Sequence, residues 1–325
     1  MTTHRNAAVP TPTTSGTETL PAARIPAAGT TLSADRVRRF QDRLLAWGSS
    51  RRRHLPWRAT RDPWSVLVSE VMLQQTQVDR VIAYYRAFLE AFPRASDCAR
   101  ATSGDVVRIW SGLGYNRRAL NLHRAAMAIT ADRGGVMPAD EQALRALPGI
   151  GPYTARAVLS FAFEADVATV DTNVVRVLAR AVAGAGLSLR QAQALADRLL
   201  PAGQSWAFNQ TMFDLGATVC TATRPACGEC PLRHQCRWRR QGFAAPDPWR
   251  ASPSVRPQST FAGSDRQGRG RLIQALRQGA VPRAMVATAC GWPDDGPRVE
   301  RITAALVQEG FAQWDEGSPA QLRLC

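Results

Sequence analysis

Apolar residues recur at spacings of three and four along most of the chain. Val37, Phe40, Leu44 and Leu45 open the pattern just after Ser33, a residue type that caps helix starts. Ser69 to Phe92 carries two helical stretches, Ser103 to Ser111 and Arg117 to Asp132 two more, and Asp140 to Ala146 another. Further helices are predicted from Pro152, after Asp171, over Leu189 to Leu200 and over Ala207 to Val219. Strict alternation, the mark of a half-buried strand, is scarce. The pattern predicts an all-α fold.

Composition divides the chain further. Residues 1–32 are Ala, Thr and Pro with few bulky apolar side chains, and a disordered tail is expected there. Residues 33–219 form the helical body, read as two lobes, and 220–240 a cysteine loop. Pro, Ser and Arg dominate 241–264, a predicted linker. Periodicity resumes over 265–325, where Leu272, Ile273 and Leu276 share one face and Val299, Ile302, Leu306 and Val307 another. Phe311 to Leu324 suits a hairpin. This segment is read as a small winged-helix-like module.

The formal net charge is +15 and the pI about 11.0, a balance that points to a polyanionic partner such as nucleic acid. Lysine is absent, so all 41 basic residues are Arg. Arginine stays protonated and cannot serve as an amine nucleophile, which excludes a lysine Schiff base. No run of about 18 apolar residues is present and the N-terminus has no compact apolar core, so neither a membrane span nor a signal peptide is expected.

Four of the seven cysteines, Cys220, Cys227, Cys230 and Cys236, have the spacing C-x6-C-x2-C-x5-C. Four neighbouring thiolates suit a tetrahedral zinc or a [4Fe–4S] cluster, and the single tight C-x2-C pair favours the cluster. Leu147-Pro148-Gly149-Ile150-Gly151-Pro152-Tyr153-Thr154-Ala155 separates two helical patterns. Gly149 and Gly151 permit a tight hairpin and a close backbone approach to phosphate, with Ile150 plugged into the core. Alone, this string would also pass as an ordinary helix corner. Asp171, in Val170-Asp171-Thr172-Asn173-Val174, reads equally as a helix N-cap and as a functional acid. Glu70, in Ser69-Glu70-Val71-Met72-Leu73-Gln74-Gln75-Thr76-Gln77-Val78, would by itself be an exposed helix residue.

In this order, over roughly residues 36–242, these motifs resemble the endonuclease III superfamily of helix-hairpin-helix DNA glycosylases. The Glu70 block is similar to that of its MutY-type adenine glycosylases. The resemblance implies a [4Fe–4S] cluster on the four cysteines, Glu70 as the acid that protonates adenine, and Asp171 with Asn173 on the sugar side. Tyr153 stands where lyase relatives carry the Schiff-base lysine, which implies a monofunctional enzyme. The resemblance further implies a base pocket with Trp57, Arg58 and Gln210. Leu73, Gln75, Thr76 and Tyr115 would probe the opposite base. Gly149, Ile150, Gly151 and Arg224 would meet phosphates. The expected partner is double-stranded DNA with A:8-oxoG or A:G mispairs, bound by a monomer in a cytoplasmic, nucleoid-associated setting. Rival readings are a glycosylase for oxidised pyrimidines or G:T mismatches, and a DNA-binding redox sensor without catalysis. The short C-terminal segment departs from members with a larger C-terminal domain, which leaves strict 8-oxoguanine discrimination open.

Overall fold

Short polar side chains set many of the helix starts. Ser33 accepts from the Arg36 N–H at 3.3 Å and opens α1, Ala34–Arg51. Asp62 accepts from the Ser65 N–H at 2.7 Å, and with Pro63 in the first turn it opens α2, Pro63–Leu73. The structure, a computed structural model, describes residues 32–253, 260–317 and 319–325. The expected tail lies outside the described residues apart from Leu32, which is buried.

Helices α3 (Val78–Ala91), α4 (Ala95–Arg100), α5 (Ser103–Ile109), α6 (Arg117–Arg133), α7 (Glu141–Arg145) and α8 (Pro152–Ala162) follow. Next come α9 (Thr172–Leu178), α10 (Leu189–Leu199), α11 (Ser205–Asp214) and α12 (Arg237–Arg240). Through residue 240 every regular element among the described residues is helical. Two starts differ from expectation. α2 begins six residues before Ser69, because Trp64, Val66, Leu67, Val68, Val71 and Met72 are all buried. A helix apolar on nearly every side has no stripe to read, and Asp62-Pro63 was its usable signal. The six-residue α4 was likewise unforeseen.

Buried side chains fall into two clusters. One gathers α2, α3, α5, α6 and α8 around Phe88 and Trp110. The other gathers α1, α9, α10 and α11 with Leu232 of the cysteine loop. Part of the expected linker packs firmly on the second cluster. Asp247 receives Nε and Nη2 of buried Arg180, and the buried Ser252 hydroxyl accepts from the Leu187 N–H at 3.1 Å. A polar composition concealed these ties. Residues 254–259 of that segment lie outside the described residues.

After residue 264 the chain forms α13 (Asp265–Gln278), β1 (Val281–Pro282), α14 (Val286–Cys290), α15 (Gly296–Gln308), β2 (Ala312–Asp315) and β3 (Gln321–Leu324). The antiparallel sheet has the order β1-β3-β2, with Trp314 opposite Leu322. Leu322 and Leu324 are buried and Arg323 between them is exposed, the period of a half-buried strand. These side chains join the first cluster, so the C-terminal module shares its core. Glu309 strengthens the join by accepting from Arg117 of α6 and Arg269 of α13.

Phe88 is fully buried and meets Trp110 and Phe92 edge-on, with centroids 6.0 and 5.1 Å away. Phe88→Ala is expected to lower unfolding free energy by about 3–5 kcal/mol in urea titrations. A loss below about 1 kcal/mol would show that this core tolerates a cavity and does not set the position of α2.

Candidate active site

Packing of α2 on α8 buries Glu70, which is 4% exposed. Its Oε2 accepts a 2.8 Å hydrogen bond from the Tyr153 hydroxyl. Burial pushes the Glu70 carboxyl up to about 7, nearby Asp171 adds to this, and the Tyr153 and Arg58 contacts oppose it. Burial and the two carboxylates hold the Tyr153 phenol well above its ordinary range, so it stays a donor. A carboxyl that changes protonation near neutral pH, beside a fixed hydroxyl donor, can act as a general acid or base.

Asp171 is the helix N-cap that the sequence allowed, and it also stands beside Glu70. It caps α9, with Oδ1 accepting from the Val174 N–H at 2.8 Å, and it faces Glu70 closely enough to raise its proton affinity. Burial raises Asp171 above the usual carboxylate range, against the opposing hydrogen bonds. Asn173 Nδ2 donates to Asp171 Oδ2 at 2.7 Å. Asn173 Oδ1 in turn accepts from Arg176 Nη2 at 2.6 Å, and Arg176 Nε donates to the Cys220 carbonyl at 2.7 Å. A chain of short contacts therefore orients Asp171 from the cysteine loop.

Arg58 is buried and forks onto Asp214, with Nη1 to Oδ2 at 2.7 Å and Nη2 to Oδ1 at 3.0 Å. Burial pushes the Asp214 carboxyl up, but Arg58 and Arg53 outweigh it and hold it below its usual range. Asp214 was not foreseen; a carboxylate between Phe213 and Leu215 on an apolar helix was the available signal. Gln210 lies buried one turn earlier on α11. Trp57 is buried edge-on to Tyr85, centroids 5.5 Å apart.

The hairpin between α7 and α8 has Gly149 at φ +78°, where a Cβ would lie 2.6 Å from Asn121 Cβ. Ile150 is buried. Gly151 is the N-cap of α8, has open space around its Cα, and supplies no side chain to the first-turn N–H groups. Such a turn leaves its backbone donors for an anion.

Leu73 ends α2, and Gln75 follows at φ +56°. Tyr115, 44% exposed, has φ +47°. Gln75 and Tyr115 line one cleft of about 830 Å³ whose other wall includes Phe261, Arg266 and Arg269. Thr76 lies next to it, its Oγ1 accepting from Arg118 Nη2 at 3.1 Å. Arg224 is exposed on the cysteine loop.

Cys220, Cys227, Cys230 and Cys236 are free thiols lining one cavity, walled by Val177, Leu215, Val219 and Leu232. Among the described residues no three His, Cys, Asp or Glu side chains converge to grip a single metal ion. Four thiols lining one apolar-walled space fit the thiolate donor set of an iron–sulfur cluster.

Comparison with known proteins agrees with this geometry. Residues 68–201 match the HhH-GPD superfamily of base excision DNA repair proteins, and residues 220–236 match the iron-sulfur binding domain of endonuclease III. The adenine DNA glycosylase of Mycolicibacterium smegmatis is 43% identical over 274 residues, which span 83% of this chain and 91% of that one. That of Mycobacterium tuberculosis H37Rv is 43% identical over 274 residues, 82% and 88% of the two chains. A solved thermostable thymine-DNA glycosylase superposes with a TM-score of 0.59 at 29% identity, over 63% of this chain and 97% of that one.

The raised Glu70 carboxyl binds its proton more tightly folded than unfolded. Its burial is therefore neutral below the ordinary value of 4.5, grows costly as pH rises to about 7, and stays so above. With about 1.4 kcal/mol per tenfold change in proton affinity, the penalty approaches roughly 3 kcal/mol. Glu70→Gln should thus raise the melting temperature at pH 8, with the gain shrinking as pH falls towards 4.5. An equal gain at every pH would mean that Glu70 is not the titrating group.

Proposed function

Because this chain belongs to the adenine DNA glycosylases of the HhH-GPD superfamily, hydrolases acting on N-glycosyl bonds, we propose the following division of labour for its base-excision reaction. Glu70 is the general acid. Its burial beside Tyr153 and its proton affinity near neutrality are the observations that carry this role. The substrate adenine leaves the stack and enters a pocket bordered by Trp57, Arg58 and Gln210. Arg58, forked on Asp214, supports that pocket as a fixed cation. Glu70 donates its proton to N7, which converts adenine into a neutral leaving group as the glycosidic bond breaks. Asp171, held by Asn173 and the α9 N-terminus, stabilises the cationic sugar, and the deprotonated Glu70 directs water to it.

The enzyme is monofunctional in this reading. Tyr153 replaces the amine of a lyase, and the absence of lysine removes other side-chain candidates. The substrate is duplex DNA with adenine opposite 8-oxoguanine or guanine. The hairpin of Gly149, Ile150 and Gly151 grips one phosphate, with Ile150 fixing the turn by donating its N–H to the Leu147 carbonyl at 3.2 Å and the glycine N–H groups facing the anion, and exposed Arg224 adds charge. Leu73, Gln75, Thr76 and Tyr115 probe the opposite base. Cys220, Cys227, Cys230 and Cys236 hold a [4Fe–4S] cluster. When bound, it supplies a fixed structural anchor for the loop whose Cys220 carbonyl orients Arg176.

The two buried clusters correspond to the two lobes of this enzyme class. The helix–strand–helix–helix–strand–strand order after residue 264 fits a winged-helix-like module. A monomer working on the nucleoid in the cytoplasm completes the reading. Glu70 within an adenine-type block disfavours pyrimidine substrates, which offer no N7, and a non-catalytic sensor would not need it.

The test uses duplexes with one A:8-oxoG, A:G, T:G or oxidised-pyrimidine pair. Strand breaks at adenine only, and only after hot alkali, are expected. Glu70→Gln and Asp171→Asn should each slow single-turnover excision by about 100-fold or more while duplex binding persists. Alkali-independent nicking at oxidised pyrimidines, or full activity in both variants, would overturn the assignment.

A further inference from the structure

Arg118, at the second position of α6, is the most heavily bonded guanidinium in the neighbourhood of the base-probing loops. Its Nη1 donates to the carbonyls of Val71 (2.8 Å), Met72 (2.9 Å) and Gln74 (2.6 Å), at the C-terminal end of α2. Its Nη2 donates to Thr76 Oγ1 (3.1 Å), Leu113 O (3.4 Å) and Gly114 O (3.1 Å). One planar fork thus bolts the loop carrying Gln75 to the loop carrying Tyr115, and both to the helix that carries Glu70. The guanidinium carbon lies 5.4 Å from the Trp110 ring centroid and 5.5 Å from that of Tyr115.

The chemistry of this arrangement is unusual for a structural arginine. All six acceptors, which share the four terminal N–H groups, are neutral oxygens, so the charge is met by dipoles, half of them at the α2 C-terminus, and not by a carboxylate. Burial lowers its proton affinity to about 10, which still leaves it charged at neutral pH. The two loops it joins both hold a non-glycine residue in left-handed backbone, Gln75 at φ +56° and Tyr115 at φ +47°. Such backbone persists only where its surroundings over-determine it. The same residues line the cleft facing α13.

We propose that Arg118 is the positioning residue that sets discrimination of the base opposite adenine, by fixing Gln75 and Tyr115 relative to each other and to the Glu70 helix. This rests on the reading of those two residues as probes of the opposite base. Lysine could not substitute, since a compact ammonium with three donors cannot bridge carbonyls on two loops in one plane.

The experiment compares wild type, Arg118→Lys, Gln75→Ala and the double variant by single-turnover excision at saturating enzyme on A:8-oxoG and A:G duplexes. Thermal melting checks the fold. Arg118→Lys is expected to reduce the A:8-oxoG to A:G rate ratio about tenfold, chiefly by slowing A:8-oxoG, with A:G excision within about threefold of wild type. In the Gln75→Ala background the lysine change should lower the ratio by a smaller factor than in wild type, because only the share carried by the Tyr115 loop remains. Trp110→Phe deletes the indole donor to Gly114 O (3.1 Å) and loosens only the Tyr115 loop. It should lower the ratio by a smaller factor, which keeps the claim testable should Arg118→Lys not fold. An unchanged ratio in Arg118→Lys, or fully independent losses in the double variant, would overturn the assignment to Arg118 alone. Absence of adenine excision by the wild type would instead sink the functional reading and this inference with it.

Discussion

Burying Glu70 between α2 and α8 works against the fold and underlies the acid role proposed for it. A carboxyl in that position resists ionisation, and the rest of the site is arranged around keeping it there. Apolar side chains on nearly every face of α2 hold the helix in the core, with Trp64, Leu67 and Val68 buried around the segment that leads to Glu70. Tyr153 supplies one hydroxyl donor, and Asp171 one nearby negative charge, so that the proton is neither locked on nor freely lost. With a surface position for Glu70, its affinity would fall to that of an ordinary glutamate and the acid would be spent before adenine arrived.

The same two helices reach outward from this point. Tyr153 sits two residues after Gly151, so the turn proposed to bind phosphate also positions the hydroxyl on Glu70. Leu73 ends α2 one turn beyond Glu70, where the chain enters the left-handed Gln75 segment. The segments proposed for phosphate grip, acid and probe thus lie along two packed helices and the turns at their ends. Asp171 arrives from the other buried cluster. A hydrogen-bonded chain through Asn173 and Arg176 links it to the Cys220 carbonyl of the cysteine loop.

Much of this was legible in the sequence, and the rest was hidden for definite reasons. The glycine hairpin, the acid block and the cysteine spacing are local strings, legible through their resemblance to a family, although Glu70 alone read as an exposed residue and is in fact buried. Asp171 announced itself as a carboxylate between apolar runs. By contrast, Asp214, Arg118 and the Arg180–Asp247 pair make contacts whose partners are distant in sequence or, for Arg118, spread over two loops and a helix end. In a chain with 41 arginines, no pattern marks the few that are buried. The start of α2 was missed because a helix buried all round has no periodic stripe. The C-terminal hairpin was visible as alternation over its last residues, whereas the two-residue β1 was too short to show a period.

The most direct measurement is the pH dependence of single-turnover adenine excision for wild type and Tyr153→Phe. If burial holds Glu70 as an acid titrating near neutrality, excision falls as pH rises through about 7. Removing the hydroxyl that favours the charged carboxylate then moves this fall to higher pH. A rate that is flat from mildly acidic to mildly basic pH, or a fall that Tyr153→Phe leaves in place, would contradict the assignment of the working proton to Glu70.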